Sequence, residues 1–266
     1  MKDDLGDRMK EYEGQWAYKA MKGLPVMVRL DGRCFSKFTI GMARPYDKRL
    51  SDLMIATTTY LVKETVANIG YTQSDEISLT YHGDEIFFDG KIQKLVSVIS
   101  SLCTAYFNRN YFFHFEKESH DLATFDCRVW QVPSLMEGSN VFLWRELDAS
   151  KNSVSMACRH YYDHKDMVDK SSREMHDMLF LKGINWNDYP VFFKRGTWIR
   201  RKTILREFHE TEISNLPSNH DARQNPKMKF QRTIIEPLEM GRFGIVANRV
   251  GVIYRGENPS YEPAQR

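Results

Sequence analysis

The sequence predicts an α+β protein: a ferredoxin-like βαββαβ domain of the palm type, followed by a C-terminal α/β extension. Two observations support this class. Between residues 26 and 132, segments typical of a strand, a helix, a hairpin, a helix and a strand follow one another. Beyond residue 137 the pattern changes to a long helical stretch and then to strands. We therefore expect a core over residues 1–137, an antiparallel sheet with helices on one face, and an extension over residues 138–266 within the same compact unit.

The core elements follow from local patterns in the first half of the chain. A leading helix is predicted over residues 5–22, because Gly23-Leu24-Pro25 would end it. Residues 26–30 are continuously apolar apart from Arg29 and predict a short strand. A helix is expected over residues 51–68 with Ser51 as its cap. The stretch "YTQSDEISLTY" then indicates a hairpin whose turn contains Ser74-Asp75-Glu76.

Helical spacing of apolar residues is clearest over residues 91–110, which predicts a helix with one side on the core. Residues 125–132 alternate between apolar and polar, which completes the βαββαβ order with a strand. In the extension we expect helices over residues 139–183, strand structure over 191–208, and a mobile polar loop over 214–229. Two last strands are predicted over residues 232–237 and 244–254.

Composition is that of an ordinary globular protein, with 42% hydrophobic and 27% charged residues and a net charge of +3. The four cysteines lie far apart and form no CxxC pair, so we expect reduced thiols and a cytoplasmic protein. The N-terminus is charged and lacks the apolar core of a signal peptide. No window reaches the roughly 18 apolar residues of a membrane helix. These features exclude a small disulfide-stabilised class and predict no membrane association.

Two carboxylates are the first candidates for chemistry. Asp31 ends the first predicted strand, and Asp75 lies at the tip of the hairpin that would neighbour it. Hard oxygen ligands on two rigid supports suit Mg²⁺, and Gly32 would allow a phosphate to approach closely. Three residues beyond it could contact a triphosphate: Arg33, Ser36 and Lys37. Spacing alone leaves a second interpretation open, because strand-Asp-Gly and Ser-Asp-Glu are also common turns.

Several segments together resemble the tRNA(His) guanylyltransferase family and its Thg1-like branch. The two carboxylate motifs are "VRLDGRCFSKF" and "YTQSDEISL". The stretches "FDCRVWQVP", "WRELD" and "FFKRGTWI" fall in the family's order, and "LGDRMKEYE" looks like the start of the Thg1-like branch. The resemblance covers about residues 5 to 205. It implies a palm-like Mg²⁺-dependent enzyme that adds nucleotides to tRNA in the 3′-to-5′ direction.

The chemistry that the resemblance implies has two steps. ATP adenylylates the 5′-monophosphate of a tRNA, and the 3′-hydroxyl of an incoming nucleotide such as GTP then displaces AMP. Later additions can displace pyrophosphate from a triphosphorylated end. The family also implies a homotetramer with tRNA and nucleoside triphosphates as its partners.

Carried onto this sequence, the resemblance assigns two Mg²⁺ ions to Asp31, Gly32 and Asp75, with Glu76 in a supporting catalytic role. It also assigns nucleotide binding to nine residues: Asp31, Gly32, Arg33, Cys34, Phe35, Ser36, Lys37, Ser74 and Asp75. A basic run that phosphate-backbone binding could use contains Arg195, Arg200, Arg201 and Lys202. Exposed strands carry such charges too, and the tRNA-binding family favours the functional interpretation.

One departure bears on the substrate. Enzymes specific for tRNA(His) carry His-Ile-Asn-Asn-Leu-Tyr after their "WRQAD"-like segment. Here Ser150 and Ser153 replace the histidine and the second asparagine, and Asn152 remains. This favours templated repair of tRNA 5′ ends over strict addition of G-1 to tRNA(His), which stays the alternative.

Two other functions compete with this one. Diguanylate cyclases use a similar fold, but their Gly-Gly-Asp/Glu-Glu-Phe hairpin differs from Gln73-Ser74-Asp75-Glu76-Ile77. A tRNA-binding protein that has lost catalysis would have no need for two repelling carboxylates at one place. Retention of both Asp31 and Asp75 argues against that class.

Overall fold

The computed structural model describes residues 4–83, 86–115, 121–225 and 227–261. Within them, an antiparallel six-stranded sheet has the order β4-β1-β3-β2-β5-β6. The strands are β1 (Val26–Gly32), β2 (Ile69–Gln73), β3 (Glu76–Tyr81), β4 (Phe125–Gln131), β5 (Thr197–Glu207) and β6 (Lys229–Leu238). The helices are α1 (Asp4–Glu13), α2 (Phe35–Phe38), α3 (Lys48–Glu64), α4 (Ile92–Phe115), α5 (Leu135–Tyr161), α6 (His164–Met167), α7 (Ser172–Leu181), α8 (Val191–Arg195), α9 (Glu210–Asn215), α10 (Asp221–Gln224) and α11 (Arg249–Arg255).

The first four strands confirm the predicted ferredoxin-like core. Their order β4-β1-β3-β2, with α3 and α4 as the two crossovers, is the βαββαβ arrangement. Both helices cover the same face of the sheet, where Leu30 and Ile77 pack among fully buried helix residues such as Leu61 and Phe107. Strand alternation places every second side chain of these strands on this face, which is the apolar core that the sequence predicts.

The extension covers the opposite face and widens the sheet. β5 pairs with β2 and β6 pairs with β5, so the sheet continues past the four-stranded core. α5, α11 and a 3₁₀ turn at Phe243–Ile245 pack on the second face, around Met27, Tyr71 and Trp198. Helices therefore pack on both faces of the sheet.

Three element boundaries differ from the predictions. The leading helix ends at Glu13 and continues only as a 3₁₀ turn to Trp16, since Gly14 is a poor helix residue. α3 starts earlier than expected, and its cap is Asp47 rather than Ser51: the Asp47 carboxylate accepts from the Arg49 N–H at 3.0 Å. Residues 191–195, expected as strand, form α8 before β5 begins.

The prediction of a last strand over residues 244–254 is wrong. That stretch contains a 3₁₀ turn and α11, which ends at Gly256 in the left-handed region. The β-branched residues suggested a strand, but Val252 and Ile253 are buried on one side of a helix that packs against the core. The polar segment 214–229 contains α10, and residue 226 within it lies outside the described residues.

All four cysteines are free thiols, as expected. None of the helices in the described parts of the chain has the length and apolar character needed to cross a membrane.

Candidate active site

Asp31 and Asp75 lie at the same end of the neighbouring strands β1 and β3, as the sequence predicts. Asp31 lies near the end of β1, and Asp75 occupies the turn between β2 and β3. The Gly32 N–H donates a hydrogen bond to the Asp75 backbone carbonyl at 3.1 Å, which ties the two segments together. Ser74 adopts a left-handed conformation with φ 55°, so the hairpin turn is tight. Backbone contacts, rather than side-chain contacts, thus bring the two carboxylates together.

The register of the strands places two more acidic side chains in line with Asp31. Asp31 lies directly opposite Glu76 on β3 and opposite Asp126 on β4. Residues directly opposite in an antiparallel sheet point to the same face, which here is the second face. Asp126 is partly balanced by Arg128, whose Nε lies 3.5 Å from its carboxylate.

Glu76 is held by two arginines. Arg145 on α5 donates two hydrogen bonds to its carboxylate, at 2.5 Å from Nε and 2.7 Å from Nη2. Arg29 lies 3.8 Å away, and both guanidinium groups face the Trp144 ring. Such a bidentate arginine–carboxylate ion pair fixes the orientation of both side chains and balances their charges. Glu76 is therefore engaged in holding α5 against β3.

Burial shifts the pKa of both turn carboxyls upward. Burial raises the pKa of Asp75; the Ser74 hydroxyl, donating at 2.9 Å, acts in the opposite direction, and the nearby charge of Asp31 raises the pKa further. Burial also raises the pKa of Glu76, and Arg145 opposes that effect. No group of three or more His, Cys, Asp or Glu side chains in the described residues is arranged to hold a metal ion. Any metal site here would therefore combine two carboxylates with backbone or substrate oxygens.

Two clefts open on either side of Asp75. The first, here called the polar cleft, has a volume of about 450 Å³ and includes Arg29, Asp31, Arg145 and Asn152 in its wall. The second, the apolar cleft, has a volume of about 320 Å³. Six of the residues around it are Phe35, Ser36, Met42, Pro45, Tyr46 and Leu50. Ser74 and Asp75 line both clefts, so Asp75 lies at their junction, and Asp31 lies beside it in the wall of the polar cleft.

The loop after Asp31 is divided between two sides. A Cβ on Gly32 would lie 2.3 Å from the Phe35 ring, which is buried against Phe107 and Phe125, so only glycine fits there. Phe35 and Ser36 face the apolar cleft, together with Ser74 and Asp75. The other three predicted nucleotide-binding residues, Arg33, Cys34 and Lys37, line a separate cleft of about 200 Å³. The structure thus brings together part of the predicted set.

The predicted tRNA-binding run is also divided. Arg200 is buried, and its guanidinium bonds to Glu236 at 2.5 Å and to the Asn258 side chain at 2.7 Å. It attaches the C-terminal segment to β5 and has no free face for a phosphate, so its assignment to tRNA is corrected. Arg195, at the end of α8, and Arg201 and Lys202, on β5, are all partly accessible.

Sequence reasoning missed the helical wall of the site. Side chains at a spacing of three or four along α5 line the polar cleft: Arg145, Asp148, Asn152, Ser155 and Arg159. That polar stripe at helical period, and the position of Arg29 two residues before Asp31 on one strand face, were the signals that could have revealed it.

A palm-type sheet with two carboxylates at adjacent strand ends, beside two clefts, is the arrangement expected of a nucleotidyltransferase. The family model of tRNAHis guanylyltransferase (Thg1) matches residues 6–133. A tRNA(His) guanylyltransferase of Neurospora crassa is 31% identical over 248 residues, 82% of this chain and 85% of the relative.

Two solved structures described as bacterial Thg1-like protein are also similar to this chain. One, in complex with ATP, is 38% identical, with a TM-score of 0.70 over 75% of this chain and 87% of that one. The other, in complex with GTP, is 31% identical, with a TM-score of 0.70 over 91% and 94%. The chain belongs to the tRNA(His) guanylyltransferase family.

Proposed function

We propose that this enzyme adds nucleotides to the 5′ end of tRNA in the 3′-to-5′ direction, after adenylylating that end with ATP. The observation that supports this most is the position of Asp75 at the junction of two clefts, with Asp31 beside it in the wall of the polar cleft. Such a junction gives two phosphorylated substrates access to one pair of carboxylates. Family membership and the bacterial relatives, named as complexes with ATP and with GTP, agree with it.

The residues at the junction fit the two Mg²⁺ ions that the family implies. Asp31, Asp75 and the Gly32 carbonyl offer hard oxygen donors on rigid strands, the ligand type that Mg²⁺ prefers. Burial and the neighbouring Asp31 charge both disfavour an ionised Asp75, and a bound cation would offset these costs. When bound, the ions would stabilise the entering and leaving oxygens of the phosphoryl transfer. Glu76, held by Arg145, acts as a positioning residue that keeps the hairpin tip in place.

The apolar cleft suits the base and ribose of a nucleotide. It is bounded by Phe35 and Tyr46 on its aromatic side and by Ser36 and Asp75 toward the carboxylates. Aromatic and apolar walls with few polar groups are typical of small-ligand sites. The triphosphate would then extend toward Asp31 and Asp75, and the RNA 5′ end would enter through the polar cleft. Arg201 and Lys202 are proposed to contact the tRNA backbone, with Arg195 nearer the site.

Templated 5′-end repair is the preferred form of this activity, with addition of G-1 to tRNA(His) as the alternative. Ser153, in place of an asparagine, is buried and accepts a hydrogen bond from the Trp186 indole at 3.2 Å. It therefore serves packing and does not reach the polar cleft. Asn152 does line that cleft, where its amide donates to Asp148 at 3.1 Å. The element that marks strict tRNA(His) enzymes is thus reduced to one residue.

The test uses a 5′-monophosphorylated tRNA that lacks its first nucleotide, incubated with Mg²⁺, ATP and each nucleoside triphosphate separately. Parallel reactions use full-length tRNA(His) and the Asp75→Ala protein. Growth only with the nucleotide complementary to the opposing acceptor base is expected. Growth of tRNA(His) alone with GTP would favour the alternative. Binding of tRNA without growth in any reaction would make the protein a non-catalytic tRNA binder.

We also propose that the chain forms a homotetramer in the cytosol. Four apolar side chains along one side of α1 and the turn after it are exposed, and they favour an interface: Leu5, Met9, Tyr12 and Trp16. The free cysteines favour a reducing compartment. Light scattering would test the assembly, and a monomeric mass at all concentrations would contradict it.

A further inference from the structure

Arg159 lies at the meeting point of the clefts around the two carboxylates. It occupies the last turn of α5 and lines both the polar cleft and the apolar cleft. It also lines a third cleft of about 360 Å³, together with Ser36, Arg44 and His160. The residue is exposed. Because Asp75 belongs to the walls of the first two clefts, Arg159 faces the carboxylate junction from the helical side.

The fold does not use this guanidinium. Within the described part of the chain, Arg159 makes no hydrogen bond and no ion pair, and its exposure leaves its donors open to a ligand. Arg145, four turns earlier on the same helix, is instead held by Glu76 and Asp148. Arg29 is nearly buried beside Glu76 and Trp144. Of these three arginines around the junction, Arg159 is therefore the one whose charge is available to a substrate.

We infer that Arg159 binds a phosphate group at the junction of the clefts and positions it for transfer. This inference rests on the proposed function, which places a nucleotide in the apolar cleft and an RNA 5′ end in the polar cleft. A guanidinium presents planar paired donors that match phosphate oxygens, and Arg44 in the third cleft adds a second positive charge. The phosphate belongs either to the nucleotide or to the 5′ end of the RNA, and the two sources are separable by binding.

The experiment compares wild type with Arg159→Ala, Arg159→Lys and the control Lys151→Ala. Lys151 is exposed on the same helix and lies outside the walls of the three clefts, so it matches the change in charge. Affinity is measured for ATP, and separately for one tRNA carrying a 5′-hydroxyl, a 5′-monophosphate or a 5′-triphosphate. We expect Arg159→Ala to lose about tenfold in affinity for the phosphorylated ligand, with little change for the 5′-hydroxyl tRNA. Arg159→Lys should recover part of that loss.

The arms identify the source of the phosphate and keep the two proposals apart. A loss confined to phosphorylated tRNA assigns Arg159 to the RNA end, and a loss confined to ATP assigns it to the nucleotide. If wild type adds nucleotides and Arg159→Ala equals Lys151→Ala in every arm, the inference is overturned while the proposed function stands. If phosphate binding depends on Arg159 but wild type adds no nucleotide, the inference is supported and the proposed function fails.

Discussion

The two faces of the central sheet are built from the same strands but do different work. On the face under α3 and α4, Leu30 and Ile77 are fully buried in an apolar cluster. On the opposite face, their direct neighbours in sequence, Asp31 and Glu76, lie among arginines and open clefts. The first face stabilises by excluding water from apolar surface, and the second places charge where substrates would enter. Because side chains alternate along a strand, adjacent residues serve different roles: one stabilises the core and the next faces the clefts.

The largest effect is expected from Asp31→Asn, which changes only the charged face. Loss of one ligand charge for the proposed metal ions should cost several kcal/mol of transition-state stabilisation, or about 10³-fold in rate. The free energy of unfolding should change little, because Asp31 is partly exposed and its carboxylate lies 4.0 Å from the Arg29 guanidinium, at the limit of an ion pair. Single-turnover nucleotide addition and thermal unfolding measure the two quantities. Equal loss of both would place Asp31 with the structural residues and weaken the contrast between the faces.

A somewhat smaller effect is expected from Arg145→Met, which tests whether the charged face also contributes to stability. Removing Arg145 leaves the Glu76 carboxylate in its enclosed position without its bidentate partner. We expect a loss of about 3 kcal/mol in unfolding free energy, since the enclosed Glu76 charge would keep only Arg29, 3.8 Å away, as a counter-charge. The double variant Glu76→Gln/Arg145→Met should recover part of that loss. No recovery in denaturant unfolding would mean that packing of the arginine stem, and not its charge, matters.

The matched change on the apolar face is Ile77→Ala, one residue from Glu76. Ile77 is fully buried, so its truncation should destabilise the protein by about 3 kcal/mol. The rate of the molecules that remain folded should stay near that of wild type, because the side chain points away from the clefts. Activity normalised to the folded fraction checks this at a temperature well below the transition. A large drop in the normalised rate would show that the apolar face also sets the site geometry.

The smallest of the four effects is the pH dependence of stability that comes from Glu146, a buried carboxyl of α5 on the second face of the sheet. Burial raises the pKa of Glu146 to about 7, even though its carboxylate accepts from the Phe243 N–H at 3.0 Å. A carboxyl whose folded pKa lies above its unfolded value binds more protons when folded, so its stability contribution falls as pH rises from about 4.5 to 7. Relative to Glu146→Gln, wild type should lose about 2.5 kcal/mol between pH 5 and pH 8. Parallel unfolding curves at both pH values would contradict the raised pKa.

How far the sequence predicts this molecule also differs between the faces. Periodicity located the core, because apolar residues at period 2 in strands and 3.6 in helices have a common physical cause in burial. The carboxylate pair followed from topology, since β1 and β3 must be neighbours in a βαββαβ sheet. Arg145 could not be assigned in this way, because its partner Glu76 lies 69 positions away and no local pattern connects them.

The C-terminal half was harder for a related reason. Arg200 belongs to a basic run in the sequence, yet it is buried against Glu236 because β5 pairs with β6 in that register. Three of the seven residues of α11 are β-branched and suggested a strand, but packing against the second face of the sheet makes the segment a helix. Charge and propensity describe single residues, whereas both outcomes depend on which partner the fold provides.

Asp31 pairs with Glu76 on one side and with Asp126 on the other, so the number of residues in β1 determines where its carboxylate lies. Adding or removing one residue between Val26 and Asp31 would turn the carboxylate into the apolar core and Leu30 outward. A change of two residues would keep the faces but move Asp31 out of line with the hairpin tip. Length variation among related chains should therefore collect in the loops before and after this strand, while the count from Val26 to Gly32 stays constant.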